Sequence, residues 1–431
     1  MNDVGNSMQN PKNSRIRVFL AERRDVLRDY TTAISGSAGR LVFSLAYFIA
    51  LANTLSIADF GLFATASAAG VMLSRFLAFG FISALYRVAT VRPNLIGAFT
   101  GGFIIFGLAS LPVMALAAWL TYALFFAADI SIWIFAAVVA AEAMLWRPVE
   151  LAVIVNNGMG RFGRAAVLVI MGTLLRAIAA IVFMFSANHD LANWVWFYLA
   201  ANAVSLIIAF GFFYPRQRVR FRLALYFRRL ADSVYVAGAE VLFYLQMEFD
   251  KLLVLSIGGP QLAGIYAIVM RLVDLTAIPI RTFTMMLVQK MMRTPELLAR
   301  MRIRVGIEVG VLVVSTLAIS TLSTLLYFFP RALGGNVAGA AALVGFALLV
   351  PAFRNLVEYQ AELLFARGQT ALRAVNLAVL AGLKGIFLWW ALTRFVDTTE
   401  MVISLNVVFG LLYLVSTVLT YSALRRPAKV F

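Results

Sequence analysis

The chain has 431 residues, 62% of them hydrophobic and only 13% charged, with a mean hydropathy of +0.90. Soluble domains run at about half apolar and a quarter charged, so a water-soluble globule is excluded. The formal charge is +17 and there is no cysteine, which rules out disulfides, zinc fingers and thiol chemistry.

Residues 1–28 are polar and basic, and they lack the short apolar core of a signal peptide. A membrane span needs about 20 apolar residues. Twelve stretches meet that length, at 29–53, 62–86, 96–124, 131–155, 164–186, 193–214, 232–257, 261–287, 303–329, 338–365, 370–394 and 400–424. The fourth, seventh, eighth and tenth contain charges and are the least apolar. The expected fold is an all-α polytopic membrane protein of about twelve transmembrane helices in two six-helix bundles, 29–214 and 232–424. A basic linker at 215–231 joins them, and 425–431 form a tail.

Lys and Arg set orientation. Lys12, Arg15, Arg17, Arg23, Arg24 and Arg28 precede the first span. Every second loop then adds cations: Arg87 and Arg92, Arg161 and Arg164, a run from Arg216 to Arg229, another from Lys290 to Arg304, Arg367 and Arg373, and finally Arg425, Arg426 and Lys429. The intervening loops hold only Arg331 and Arg394. This alternation predicts that both termini and the basic loops face the cytoplasm. The high charge therefore reflects topology and contact with anionic inner-leaflet lipids, with no call for nucleic acid. Residues 1–28 and 215–231 alternate Arg with apolar residues, which suits interfacial helices on the inner leaflet or, less simply, a docking site for a partner protein.

The stretch NNGMGRFGR (156–164) matches G-x-G-x-x-G through Gly158, Gly160 and Gly163. A dinucleotide fingerprint must follow a strand and open a helix in a parallel sheet. Here it falls in a short turn between the fourth and fifth spans, so a flexible inter-helix turn is expected. An offset of 208 carries Gly160 to Gly368, Glu150 to Glu358 and Arg176 to Lys384. LSIADFGLFATA (55–66) is echoed by LSIGGPQLAGIYAI (255–268), which pairs Gly61 with Gly264. The two halves read as a parallel repeat, a layout common in secondary transporters.

Charges at the bilayer centre cost roughly 2.5–3.5 kcal/mol each and must face partners or water. Arg40, Arg75, Arg176, Arg271, Arg354 and Lys384 lie near mid-span, as do the acids Glu142, Glu150, Glu240, Glu248, Asp250, Asp274, Glu358 and Glu362. Spacing allows helical pairs Arg354 with Glu358, Arg271 with Asp274, and Arg147 with Glu150. Arg40, Arg75, Arg176 and Lys384 have no acid one turn away and are the stronger substrate-path candidates. Arginine suits bidentate phosphate contact. Pro112, Pro148, Pro279 and Pro351 mark possible kinks within spans. The lone His189 sits in a loop, so no metal, cofactor or catalytic group is expected.

Three stretches resemble Wzx-type oligosaccharide-lipid flippases of the MOP superfamily: 55–87 their second-span region, GRFGRAAVLVIMGTLLRAIAAI (160–181) their fifth span, and EFDKLLVLSIGGPQLAGIYAIVMRLVDLTAIPI (248–280) their seventh-to-eighth-span hairpin. The resemblance implies two bundles in a V around a central cavity. It further implies movement of an undecaprenyl-pyrophosphate-linked oligosaccharide across a bacterial inner membrane for surface polysaccharide assembly. On that basis Arg40, Arg75, Arg176, Arg271, Arg354 and Lys384 would hold substrate, and Glu142, Asp250, Asp274 or Glu358 would couple an ion. The protein would be a monomer serving polysaccharide polymerases and glycosyltransferases. Two alternatives stand beside this reading: a MATE-like ion-coupled exporter of small cations, and a membrane polysaccharide polymerase or ligase. The short outer loops disfavour the enzyme.

Overall fold

The structure is a computed structural model and describes residues 39–293 and 301–425. The basic N-terminal segment, residues 29–38 of the first expected span, residues 294–300 of one basic loop and residues 426–431 lie outside the described residues. All regular structure among the described residues is helical. The helices are α1 (Gly39–Thr54), α2 (Ile57–Leu73), α3 (Ile82–Val91), α4 (Ile96–Phe125), α5 (Ile132–Ala140), α6 (Arg147–Gly158), α7 (Phe162–Phe183) and α8 (Leu191–Ile208). There follow α9 (Leu223–Arg293), α10 (Met301–Phe328), α11 (Gly335–Ala341), α12 (Val350–Ala366), α13 (Thr370–Arg394) and α14 (Thr398–Leu424). Among the described residues eight helical segments are long and apolar enough to cross a membrane, or nine if the bent pair Gly335–Ala347 and Val350–Ala366 is one span. The chain is an all-α polytopic membrane protein.

The difference from twelve lies mainly in breaks. The span expected at 62–86 is not continuous. It runs as α2, a tight stretch Ser74–Gly80, then α3, and Ala78, Phe79 and Gly80 all take positive φ (54°, 47° and 73°). Non-glycine residues pay for that conformation. Ser110 of α4 offsets part of the cost by accepting from the Ala78 amide at 2.9 Å. The spans expected at 232–257 and 261–287 are the two arms of α9, divided at Gly259 (φ 73°, ψ 178°). Tyr266 donates to Asp250, sixteen residues away. In a straight helix those residues would lie about 24 Å apart, so the arms fold back on each other. The span at 131–155 widens into a π turn at Ala141–Trp146, with Pro148 just beyond. The span at 338–365 bends by 64° before Pro351. Asn406 of α14 bridges this last break, accepting from the Leu349 amide (2.9 Å) and donating to the Phe346 carbonyl (2.5 Å). Broken backbone at membrane depth needs such partners.

Polar residues in the cation-poor loops cap helices. Asp190 accepts from the Asn193 amide at 2.8 Å, and Ser56, bonded to Asp59, accepts from the Asp59 amide at 3.0 Å. Asp397 accepts from the amides of Glu400 and Thr399, which together hold its carboxyl below the usual carboxylate range.

The core is organised by end. At the end bearing the cation-poor turns, one cluster joins Phe48, Phe60, Phe63, Phe135 and Trp194 to Tyr266, Met270, Val337, Leu388 and Met401. At the opposite end it divides. Phe81, Phe99, Phe103, Leu151 and Tyr226 form one group, with Val149, Leu168 and Ala209 close by in sequence range. Tyr359, Leu363 and Leu424 form another, with Ile280, Val311 and Leu356 beside them in the later helices. The joined end is fastened by Asn53 at the end of α1. Its side chain donates to the Leu333 carbonyl (2.8 Å) and accepts from the Asn336 amide (3.2 Å), while Asn336 donates to the Leu55 carbonyl (3.1 Å).

Candidate functional site: an arginine group between α1, α7 and α9

The sequence places Arg40, Ser44 and Tyr47 at i, i+4 and i+7, one face of α1. Arg271, from the second arm of α9, donates to the Ser44 hydroxyl. The Arg40 guanidinium lies in the field of Arg271, Arg176 and Glu150, and Tyr47 in that of Arg176, Glu142 and Arg271. Three arginines from α1, α7 and α9 therefore share one region. Arg40 is exposed and forms no ion pair with a described residue.

Arg176 is held on a built platform. It donates to Asn202 Oδ1 from two nitrogens (2.7 and 3.0 Å) and reaches Glu142 at 3.5 Å. It stacks over Trp146 at 4.1 Å, and Tyr198 lies 5.0 Å away. Glu142 and Trp146 stand at the two ends of the π turn, so the local widening serves both. Glu142 also accepts from Ser67 (2.6 Å) and from Tyr198.

Arg75 belongs to a neighbouring, neutral quartet. It pairs with Glu150 at 3.0 Å and lies over the Tyr244 ring at 4.0 Å. Glu150 also takes Arg147 at 2.7 Å, the pair expected from i,i+3 spacing, and Arg147 bridges to Glu240 at 2.8 Å. The strained turn after α2 ends the helix beside Arg75 and aims it across to α6.

In the later half Lys384 and Asp250 form a pair at 3.0 Å, each 1% exposed. Lys384 also donates to the Gln246 carbonyl (2.7 Å). Arg354 pairs with Asp274 of α9 at 3.4 Å, and Phe409 lies under both cations. Arg354, Lys384 and Glu358 line a narrow cleft of about 10 Å³, room for little more than one water, with Gln246 and Phe409. Lys251 pairs with Glu248, and Arg373 with Glu362 at 2.6 Å.

Sequence spacing marked Arg40, Arg75, Arg176 and Lys384 as lacking local partners. The structure gives the last three a carboxylate from another helix, which same-helix spacing cannot reveal. Of those residues Arg40 alone has no carboxylate partner among the described residues. Sequence reasoning passed over Glu308, which is 7% exposed and receives hydrogen bonds from Gln360 (3.0 Å), Tyr413 (2.9 Å) and Tyr421 (3.0 Å). An acid within the first turns of an apolar helix was the available signal. Asn202, Trp146 and Tyr198 carry no such signal, since amides and aromatics are ordinary in spans.

The glycine turn is a helix cap. Gly160 has φ 72°, its amide donates to Asn157 and the Arg161 amide to Asn156. Gly368, 208 residues later, has φ 73°, with amide bonds from Gly368 to Phe365 and from Gln369 to Leu364. Both are the same glycine-terminated helix end, and no strand flanks either.

No protein-family model and no curated protein sequence matches the chain. Solved structures do match in fold. The outward-facing form of a multidrug resistance MATE family transporter of the MOP superfamily superposes with a TM-score of 0.65 at 12% identity, covering 91% of this chain and 95% of that one. An inward-facing MATE form gives 0.62 at 15% identity, covering 93% and 99%. A MOP superfamily transporter from Pyrococcus furiosus, described by a reversed polarity of its binding pocket that suggests a different function, gives 0.53 at 14%, covering 92% and 95%. The chain has the fold of the MATE transporters of the MOP superfamily.

Proposed function

We propose that the protein is an alternating-access flippase that moves a polyprenyl-pyrophosphate-linked oligosaccharide across the bacterial inner membrane, with the basic loops in the cytoplasm. The observation that carries this reading is the arginine group. Arg40, Arg176 and Arg271 share one region, and the single carboxylate pairing with any of them among the described ion pairs is Glu142, at 3.5 Å from Arg176. Such an excess of guanidinium is costly in a membrane unless an anion or water meets it. A pyrophosphate supplies two adjacent negative groups of the geometry guanidinium forks match. The sugars would occupy the space between the divided clusters at the basic end, and the prenyl chain would lie in lipid.

A second reading, export of small cations, draws on the fold likeness to multidrug MATE transporters and on the buried acids. Those acids are engaged: Glu142 by Arg176, Ser67 and Tyr198, and Asp250 by Lys384 and Tyr266. At Glu142 or Asp250 a cationic drug would have to displace a tethered cation first.

The deciding experiment uses a deletion strain and separates undecaprenyl-linked sugars by leaflet. The flippase reading expects lipid-linked oligosaccharide stranded on the cytoplasmic side, relieved by the wild-type chain and not by Arg40→Gln/Arg176→Gln. Normal leaflet distribution in a strain without a redundant transporter, with increased sensitivity to cationic dyes, would transfer the assignment to the exporter.

A further inference from the structure

The linker after α8 makes a second basic feature, away from the arginine group. Residues 217–222 are non-helical yet strapped to the start of α4. Gln217 accepts from the Gly97 amide (2.9 Å) and donates to the Pro93 carbonyl (2.8 Å). The Arg220 amide donates to the Gly97 carbonyl (3.3 Å). The hydroxyl of Tyr226, fully buried, lies 2.6 and 2.7 Å from the Ala98 and Arg220 carbonyl oxygens, which share its one proton, and accepts from the Arg222 amide (2.9 Å). The approach is close enough to require glycine: a Cβ on Gly97 would lie 2.4 Å from the Arg218 carbonyl oxygen. The strap is thus a fixed part of the fold.

Between strap and helix lies an open cleft of about 300 Å³, lined by Asn94, Gly97 and the side of the strap bearing Arg218, Arg220 and Arg222. Among the described residues no acid lines it, and none lies in the first turn of α4. The helix N-terminus adds its own partial positive charge. The intervening residues are apolar and face outward: Val219, Phe221 and Leu223 are 43%, 62% and 54% exposed. A segment with one arginine edge and one apolar edge fits the boundary between headgroups and acyl chains.

We propose that this cleft is a binding site for the phosphate of an anionic phospholipid headgroup, whose acyl chains lie against Val219, Phe221 and Leu223. The apolar edge favours a lipid over a free phosphate ester. A lipid held there ties the linker between the two halves to one leaflet.

The test is native mass spectrometry of the full chain in neutral detergent, titrated with dioleoyl phosphatidylglycerol, with dioleoyl phosphatidylcholine, or with glycerol phosphate alone. The expected result is selective retention of phosphatidylglycerol. Affinity should fall on the order of 100-fold in R218Q/R220Q/R222Q, at the usual strength of one basic residue per headgroup contact, with the thermal transition unchanged. V219S/F221S should lose phosphatidylglycerol without gaining glycerol phosphate. Equal retention of the two lipids, an unaffected arginine variant, or glycerol phosphate binding as tightly as the lipid would each overturn the proposal.

Discussion

Gly61 of α2 and Gly264 of α9 meet backbone to backbone. A Cβ on Gly61 would lie 2.4 Å from the Gly264 amide nitrogen, and one on Gly264 would lie 2.0 Å from the Ile57 carbonyl oxygen. These are the two glycines that the sequence echo aligns. Residues related by a twofold repeat can touch only near its axis, so this contact marks where such an axis would run. The two turns capped by Gly160 and Gly368 agree with the same repeat through matching hydrogen bonds.

Enlarging either glycine forces backbone apart where α2 and α9 pack. Gly61→Ala or Gly264→Ala should destabilise the protein by about 1–3 kcal/mol, the usual cost of overpacking. Gly107→Ala, where an added Cβ meets nothing within 4 Å, should be neutral or slightly stabilising. Thermal unfolding in detergent distinguishes them. Equal effects at all three positions would remove the significance of the contact.

Asp250 and Lys384 form a buried ion pair. Removing one partner strands the other charge, so Asp250→Ala or Lys384→Ala should each cost about 3–5 kcal/mol. Asp250→Ala/Lys384→Ala should cost clearly less than the two single changes together. A double-mutant cycle on unfolding free energy measures this, and additivity would show that the pair is not coupled.

Arg40 and Arg75 should separate transport from stability. Arg75 is 4% exposed and paired with Glu150, so Arg75→Gln leaves a partly buried acid short of a partner and should lower the unfolding temperature. Arg40→Gln breaks no described ion pair and should leave unfolding unchanged while reducing leaflet transfer of the lipid-linked oligosaccharide. Full transfer by Arg40→Gln would take Arg40 out of the substrate path.

Asn53 fastens the joined end to the loop before α11. Asn53→Ala removes hydrogen bonds worth about 0.5–1.5 kcal/mol each, so that end should open more often. The natural chain has no cysteine, so Leu55→Cys, at a position 0% exposed, gives a single reporter. Maleimide labelling of that cysteine should accelerate several-fold in the Asn53→Ala background. An unchanged rate would mean that the packed side chains close this end without the latch.

Gly160 holds a left-handed backbone, which costs a non-glycine residue roughly 1–2 kcal/mol. Gly160→Ala should therefore lower stability by about that amount. Neither it nor the unmodified chain should bind ATP or NAD in equilibrium dialysis. Nucleotide retained by the unmodified chain and lost in the variant would overturn the helix-cap assignment.

Hydropathy made most of the architecture legible because each span must bury its own backbone polar groups in lipid. The glycine turn was legible for the same reason: its flanks are too apolar and too helical for a sheet. The break at Ser74–Gly80 was not, since Ala78 and Phe79 are ordinary helix residues whose left-handed backbone is imposed by neighbours such as Ser110. Pairings across helices were hidden likewise. Arg75 finds Glu150 and Arg354 finds Asp274 only once the helices are side by side. Glu308 drew no notice because its partners are a glutamine and two tyrosines, none of which stands out in an apolar sequence.

The single core at the joined end has a consequence for biosynthesis. The chain emerges from its N-terminus, so α1 to α8 enter the membrane before α9 exists. Phe48, Phe60, Phe63 and Trp194 must then wait for Tyr266, Met270 and later residues to complete their packing. Until the second arm of α9 inserts, lipid must stand in for protein along that seam. A ribosome-bound chain halted before Gly259 should therefore be more readily degraded than one halted after Ala277, although both carry the whole first half.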